Sequence, residues 1–268
     1  MPVEPDPPQT GDRRGRPATY WTPWRVRLFS QALQQSDFPA QVMRALEPAL
    51  AGCQSGLDVG AGVGALTVLL AKRLPRVTAL EPCPPMFQEL QAWLARNRLG
   101  NVTCLQLPWG REAAPPHDLI LVANVAPIFD NLLAFVTEAE PLARRAVALV
   151  QNIGPGGEKF YVGELYPLLL GRPYPARPDY LRTLELLHSL GIYANLRVIG
   201  YRFDQPFAEF ADAVRFWTEY LHLETAGQRE RLVAFLEERL ERIGNRWNAP
   251  MRRQSAVIWW RTRGGDGT

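Results

Sequence analysis

The sequence predicts an α/β protein: a mostly parallel sheet covered by helices on both faces. Three observations carry that prediction. Short apolar runs alternate with segments of helical periodicity between residues 56 and 150. The first of these runs passes straight into a glycine-rich turn, residues 57–64, reading LDVGAGVG. The last run, Ser255-Ala256-Val257-Ile258-Trp259-Trp260, is apolar on both faces, as a strand inside a sheet must be.

The totals set the frame. A chain of 268 residues, 47% of them apolar, can bury one elaborated domain or two small ones. A formal charge of +3 falls short of a nucleic-acid-binding signature. Lysine occurs only at Lys72 and Lys159, so arginine supplies nearly all the positive charge; a bias that uniform reads as genome composition and assigns no ligand. Cys53, Cys83 and Cys104 are unclustered and odd in number. They form neither a disulfide framework nor a zinc signature, so no metal is expected and a reducing cytoplasm is the expected compartment. No apolar run approaches the length of a bilayer crossing. Arg13 and Arg14 are not followed by the apolar segment a twin-arginine signal needs. Residues 1–18, rich in Pro, Gly and charge, read as a disordered tail.

Two helices come first: Trp21, Trp24 and Leu28 recur at helical spacing, as do Phe29 and Leu33, and Val42, Leu46 and Leu50 mark a second helix. Strands are then expected at Gly56–Val59, Val77–Leu80, Val102–Leu105, Asp118–Ala123 and Ala146–Val150. The helices between them are Ala65–Leu74, Met86–Arg98 and Ile128–Val136. After Gln151 the rhythm changes. Residues 163–170 (GELYPLLL) read as a short helix, and Asp179 and Gly191 suit the N-cap and C′ positions of another. Ile192–Phe203 is the sixth strand. Amphipathic helices follow over Phe210–Leu221 and over Leu232, Phe235, Leu236, Leu240 and Ile243.

A strand that runs into glycines and then a helix brings backbone N–H groups and a helix N-terminus to a ligand. Gly60-Ala61-Gly62-Val63-Gly64-Ala65 satisfies the permissive dinucleotide pattern, and Glu81 at the tip of the second strand suits a ribose under either a dinucleotide or an S-adenosylmethionine reading. Two features separate these. Asp58, two residues before the first glycine, would repel a pyrophosphate but accept hydrogen bonds from a cationic amino group or nearby N–H groups. The third glycine at Gly64 also opens the turn enough for a bulky amino-acid moiety.

On these residues, with Ala79-Leu80-Glu81-Pro82, Met86 and the layout from about residue 40 to 262, the chain resembles the class I S-adenosylmethionine-dependent methyltransferases. The resemblance implies a Rossmann-like seven-stranded methyltransferase sheet, mostly parallel, with the last strand antiparallel and inserted beside the fifth. It implies S-adenosyl-L-methionine as cofactor, with Glu81 on the ribose hydroxyls, Gly60, Gly62 and Gly64 against the methionine part and ribose, and Met86 against the adenine. One departure stands out. Where the family often has an acid for the adenine amino group, this chain has Gln106-Leu107-Pro108-Trp109. Trp109 is either a stacking partner for the base or a loop residue covering the sheet end. Asn124, followed by Val-Ala-Pro and not by the Pro-Pro-Tyr of amide and adenine methyltransferases, either lines the cofactor pocket or satisfies local backbone.

Methyl transfer needs donor and acceptor held in line, and a base only where the acceptor is protonated. No catalytic residue is assigned from the sequence. Residues 19–268 are expected to form a single methyltransferase domain. Its parts are N-terminal helices (19–50), a cofactor-binding half (51–153), a substrate-cover insertion (154–191) and C-terminal strands and helices (192–268). Tyr161, Tyr166, Tyr174 and Tyr180 give the insertion an aromatic character suited to a flat or apolar acceptor, and to ordinary packing equally. The expected partner is a small-molecule substrate. An RNA or protein substrate is favoured instead if Arg13, Arg14, Arg16, Arg252 and Arg253 share the cofactor face, and a non-catalytic cofactor-binding or scaffold protein is the third reading.

Overall fold

The computed structural model describes residues 20–110, 114–153, 159–175 and 179–262, together with the backbone of 11–12 and 16–17, which pair antiparallel. The rest of the expected N-terminal tail lies outside the described residues. In chain order the elements are α1 (Pro23–Gln35), α2 (Phe38–Ala45), α3 (Glu47–Leu50), β1 (Ser55–Val59), α4 (Ala65–Ala71), β2 (Arg76–Leu80), α5 (Pro84–Arg96), β3 (Val102–Leu105), β4 (His117–Ala123), α6 (Ala126–Asp130), α7 (Leu132–Ala139) and β5 (Ala143–Asn152). There follow α8 (Val162–Leu170), α9 (Tyr180–Ser189), β6 (Asn195–Arg202), β7 (Gln205–Phe207), α10 (Phe210–Leu221), α11 (Ala226–Arg239), β8 (Glu241–Ile243), β9 (Arg246–Ala249) and β10 (Arg252–Arg261).

Seven strands form the central sheet in the order β3-β2-β1-β4-β5-β10-β6. All are parallel except β10, which runs antiparallel to both β5 and β6. This is the sheet the sequence predicts, with its last strand interior. The period-two alternation divides the apolar residues between two faces. Leu119, Leu121, Ala146, Ala148 and Val257 pack with α1 to α4, whereas Ile120, Val122, Val147, Leu149, Ala256 and Ile258 pack with α7 and α9. A further core lies beside the sheet, where Leu28 of α1 meets α8, α10, α11 and Trp217, which is fully buried. Among the described residues no helix is long and apolar enough to cross a membrane.

Local signals set most boundaries. The Thr22 hydroxyl accepts from the Arg25 N–H and Pro23 opens α1. Asp179 accepts from the Leu181 N–H at 3.0 Å, and Gly191, at φ +73°, closes α9. The Gly191 and Ile192 N–H groups are spent on His188 and Leu187 carbonyls, so β6 begins at Asn195 and not at Ile192.

Three expected helices need correction. The helix expected over Ile128–Val136 is two, because Asn131 (φ −132°, ψ 51°) leaves the helical region between α6 and α7. The second N-terminal helix likewise breaks at Leu46, ahead of Pro48 in the first turn of α3. The helix expected to reach Ile243 stops at Arg239. Gly244, at φ +60°, and Asn245 form a two-residue hairpin turn, and Ile243 pairs with Arg246. With β7, that hairpin makes a three-stranded antiparallel sheet beside the main one.

Candidate functional site

The strand order reverses between β1 and β4, and ligands of open parallel sheets bind outside the carboxyl ends of the strands at such a point. The glycine turn lies there. Gly60, Gly62 and Gly64 all hold positive φ, at +70°, +59° and +89°. Gly60 lets the β1 turn touch the β4 turn: a Cβ there would sit 2.4 Å from Val125 Cγ2. At Gly64 it would sit 2.5 Å from Leu90 Cδ1, so this glycine lets α4 approach α5. Gly62 differs, because a Cβ there meets nothing within 4 Å. Two glycines close the packing of the turn, and the middle one faces open space.

Glu81 stands against that open glycine. Its Oε2 accepts from the Gly62 N–H at 2.8 Å and its Oε1 from the Cys83 N–H at 2.8 Å. The side chain is only 6% exposed. Burial pushes its pKa up, and the two backbone N–H groups pull it back. Each oxygen still has a free lone pair, so the carboxylate can accept two hydroxyl donors without giving up either backbone bond.

Asp58 is directed inward. It is buried, and its Oδ2 accepts from the Thr67 hydroxyl of α4 at 2.6 Å, tying the helix to β1 behind the glycine turn. Burial raises its pKa to about 6; the Thr67 bond opposes this and the charge of Glu81 adds to it. A carboxyl whose folded pKa exceeds its unfolded value binds more protons when folded. Its contribution to stability is therefore greatest below the unfolded pKa near 4 and declines as pH rises to about 6. Asp58→Asn removes that dependence. Melting curves at pH 4.5 and pH 7 should show the variant gaining on the native chain as pH rises, and a constant gap would contradict the assignment.

The other expected cofactor residues surround this centre unevenly. Met86 is 3% exposed and joins the core that α1 to α4 form on the sheet. Trp109 donates from Nε1 to Glu138 at 2.6 Å and packs on Phe135, ring centres 5.1 Å apart, which fixes it to α7. Asn124 is exposed at the β4 tip, at φ +56°, and its N–H is held by the Val150 carbonyl at 2.8 Å.

The histidines are elsewhere. His117 is buried at the start of β4, opposite the glycine turn. It bonds Thr78 Oγ1 and the Pro115 carbonyl, and burial lowers its pKa. His188 is exposed, edge-on to Tyr193, and His222 ends α10 in the left-handed region. Cys53, Cys83 and Cys104 are unpaired thiols with pKa values raised by burial, which disfavours the nucleophilic thiolate. Among the described residues no three His, Cys, Asp or Glu side chains group as metal ligands.

A pocket absent from the sequence reading opens at the same end of the sheet. It offers about 360 Å³ of space, its open mouth included. Trp21 and Phe29 of the α1 region, Phe160, Phe203 and Phe216 form aromatic walls, and Arg25, Lys159 and Arg253 supply the charge. Because β10 is antiparallel, its first residues lie beside the ends of β5 and β6: Ser255 pairs with Asn152 and Arg253 with Tyr201. Helix α1 spans both regions. Ser30 donates to Glu89 on α5, just beyond Glu81, and Arg25 pairs with Glu219 on α10. Of the four tyrosines suited equally to an acceptor and to packing, Tyr161 bonds the Pro250 carbonyl and stacks on Trp217, and Tyr166 packs edge-on with Tyr174. Tyr180 packs against the α7 face of the sheet. The insertion lends the pocket Lys159 and Phe160 instead. No local pattern could have assembled these walls, which come from five separate segments.

Comparisons agree with the geometry. A family model described as a methyltransferase domain matches residues 57–149, from the glycine turn to β5. No curated sequence matches the chain significantly. Among solved structures, the YcgJ protein from Bacillus subtilis superposes with a TM-score of 0.52 at 17% identity, over 84% of this chain and 98% of that one. The BH2331 protein from Bacillus halodurans C-125 gives 0.52 at 16%, with the same coverages. Magnesium protoporphyrin IX methyltransferase (ChlM) from Synechocystis PCC 6803, crystallised with SAH, gives 0.50 at 14%, over 90% and 94%. These likenesses establish the fold, a Rossmann-like methyltransferase sheet, and the family model places a methyltransferase domain over residues 57–149, the glycine turn and the acid strand included.

Proposed function

We propose that the protein transfers a methyl group from S-adenosylmethionine to a small-molecule acceptor. The observation that carries the cofactor half is the buried Glu81 carboxylate, held by the Gly62 and Cys83 N–H groups against the one glycine of the turn that faces open space. These residues fit the cofactor. Glu81 accepts the ribose hydroxyls, Gly62 leaves room for the chain that joins ribose to methionine, and Gly60 and Gly64 keep the turn closed behind it. Asp58 acts through Thr67 and the turn, setting the negative field behind a cationic amino group. Asn124 borders the β4 side of the cleft, and Met86 and Trp109 support its adenine side from within the core and from α7. When bound, the cofactor supplies an electrophilic methyl group, so the chain's part is to align the acceptor and exclude water.

The acceptor half rests on the aromatic-walled pocket at the same sheet end. Its form favours a small molecule over RNA. Arg253, one of the arginines that would have favoured RNA, lies against phenylalanine rings, while Arg252 is exposed. Arg13 and Arg14 lie outside the described residues.

The test is transfer of labelled methyl from S-adenosylmethionine into a cell extract split into small-molecule, RNA and protein fractions. Label is expected in the small-molecule fraction. Label confined to RNA or protein would contradict the acceptor class, and no transfer into any fraction would favour the non-catalytic reading.

A further inference from the structure

The geometry points to an aromatic carboxylic acid as the acceptor, with the Arg253 guanidinium as the partner of its carboxylate. The inference rests on the methyl-transfer reading for the role of the bound molecule, not for its binding. Arg253 is the second residue of β10, on the face that α1 covers, opposite Tyr201. Its guanidinium carbon lies 4.3 Å from the centre of the Phe203 ring and 5.1 Å from that of Phe160. The residue is half-buried as a whole, but its Nε and Nη2 are sealed from solvent and have no hydrogen-bond partner. Those two nitrogens lie on one edge of the guanidinium. They present parallel N–H donors at the spacing of the two oxygens of a carboxylate.

The surroundings leave that edge for a ligand. Among the described residues no carboxylate lies within ion-pair distance of Arg253, whereas Arg25 is paired with Glu219 at 2.9 Å and Arg202 with Asp204. Among the described residues the pocket lining contains Arg25, Lys159 and Arg253 and no acid. Gln205, its one amide, donates to the Leu28 and Pro206 carbonyls. Burial lowers the Arg253 pKa, and the tyrosines Tyr201, Tyr220 and Tyr20 oppose this. A guanidinium serving only to fill space between aromatic rings would be replaced at lower cost by an apolar side chain. That edge is sealed as it stands, so a carboxylate reaches it only by displacing a side chain that covers it; once there it satisfies both orphan donors and offsets the desolvation of the charge. Walls of Trp21, Phe29 and Phe216 suit the faces of a flat ring.

Placement ties this pocket to the transfer site. The Tyr201 hydroxyl meets Ser255 Oγ at 3.0 Å and donates to Asn152 Oδ1 at 3.3 Å, so Arg253 is two residues along β10 from a polar cluster at the tip of β5. Asn124, at the neighbouring β4 tip, is anchored to β5 through Val150.

The experiment is calorimetry on the full chain with benzoate, 4-hydroxybenzoate and 2-naphthoate, each against its neutral amide and against phenyl phosphate, with S-adenosylhomocysteine as a parallel ligand. At least one acid should bind the native chain about tenfold or more tightly than its amide. Arg253→Met should erase that preference while leaving S-adenosylhomocysteine binding unchanged, and Arg252→Met, at the exposed neighbour, should preserve it. The acid–amide comparison on the native chain decides the matter even if Arg253→Met does not fold. Acid and amide binding alike, no acid binding at all, preference for phenyl phosphate alone, or an unchanged preference in Arg253→Met would each overturn the inference. Acid binding without S-adenosylhomocysteine binding would uphold this pocket and sink the methyl-transfer reading. The reverse pattern would sink this inference alone.

Discussion

Gly60→Ala is expected to lower the stability of the chain by about 2–5 kcal/mol, read as a fall in the urea midpoint without change in slope. Two independent causes add. An alanine at φ +70° bears the left-handed penalty of about 1–2 kcal/mol. Its Cβ would also lie 2.4 Å from Val125 Cγ2, and overpacking costs typically about 1–3 kcal/mol. Val125 is β-branched and caps the start of α6, so its methyl groups have little freedom to withdraw. Val125→Ala in the Gly60→Ala background should therefore return the steric part and leave the conformational part. Gly62→Ala isolates the conformational part, because no atom lies within 4 Å of its added Cβ. A Gly60→Ala variant as stable as the native chain would mean that the β1 and β4 turns do not meet as described.

Glu81→Ala is expected to weaken S-adenosylhomocysteine binding by roughly ten- to a hundredfold, or about 1.5–3 kcal/mol, through the loss of charge-assisted bonds to the ribose hydroxyls. The variant also strips the Gly62 and Cys83 N–H groups of their acceptor, so part of the loss comes from a loosened turn. Glu81→Gln separates the two. Its amide oxygen keeps one backbone bond but removes the charge, so it should fall between Ala and Glu. Unchanged affinity in both variants would remove Glu81 from the site.

The glycine turn and its acid are local in sequence, and they were legible for that reason. A run that enters Gly60-Ala61-Gly62-Val63-Gly64 and a Glu one strand later need only the β1–β2 pairing to come together. The interior place of β10 was legible too, since a strand apolar on both faces has no solvent edge. Where prediction failed, the deciding signal was a single residue. Asn131 divides one expected helix, and Gly244 with Asn245 turns another into a hairpin. The inward direction of Asp58 depends on Thr67, one helix away, and the residue type alone fits a ligand-facing carboxylate equally well.

Arg253 shows the limit most clearly. Beside Arg252 it reads as part of a surface cluster. Only the pairing of β10 with β6 sets it beside Phe203, and only the return of residues 159–160 sets Phe160 against it. Burial made by three distant segments leaves no trace in the local pattern.

The most direct test of the cofactor assignment is calorimetric titration of the native chain with S-adenosylmethionine, S-adenosylhomocysteine and NAD. The structure predicts binding of both adenosyl ligands with dissociation constants of roughly 1–100 μM, and none of NAD in that range. Binding of NAD alone, or of neither adenosyl ligand, would contradict the account at its centre.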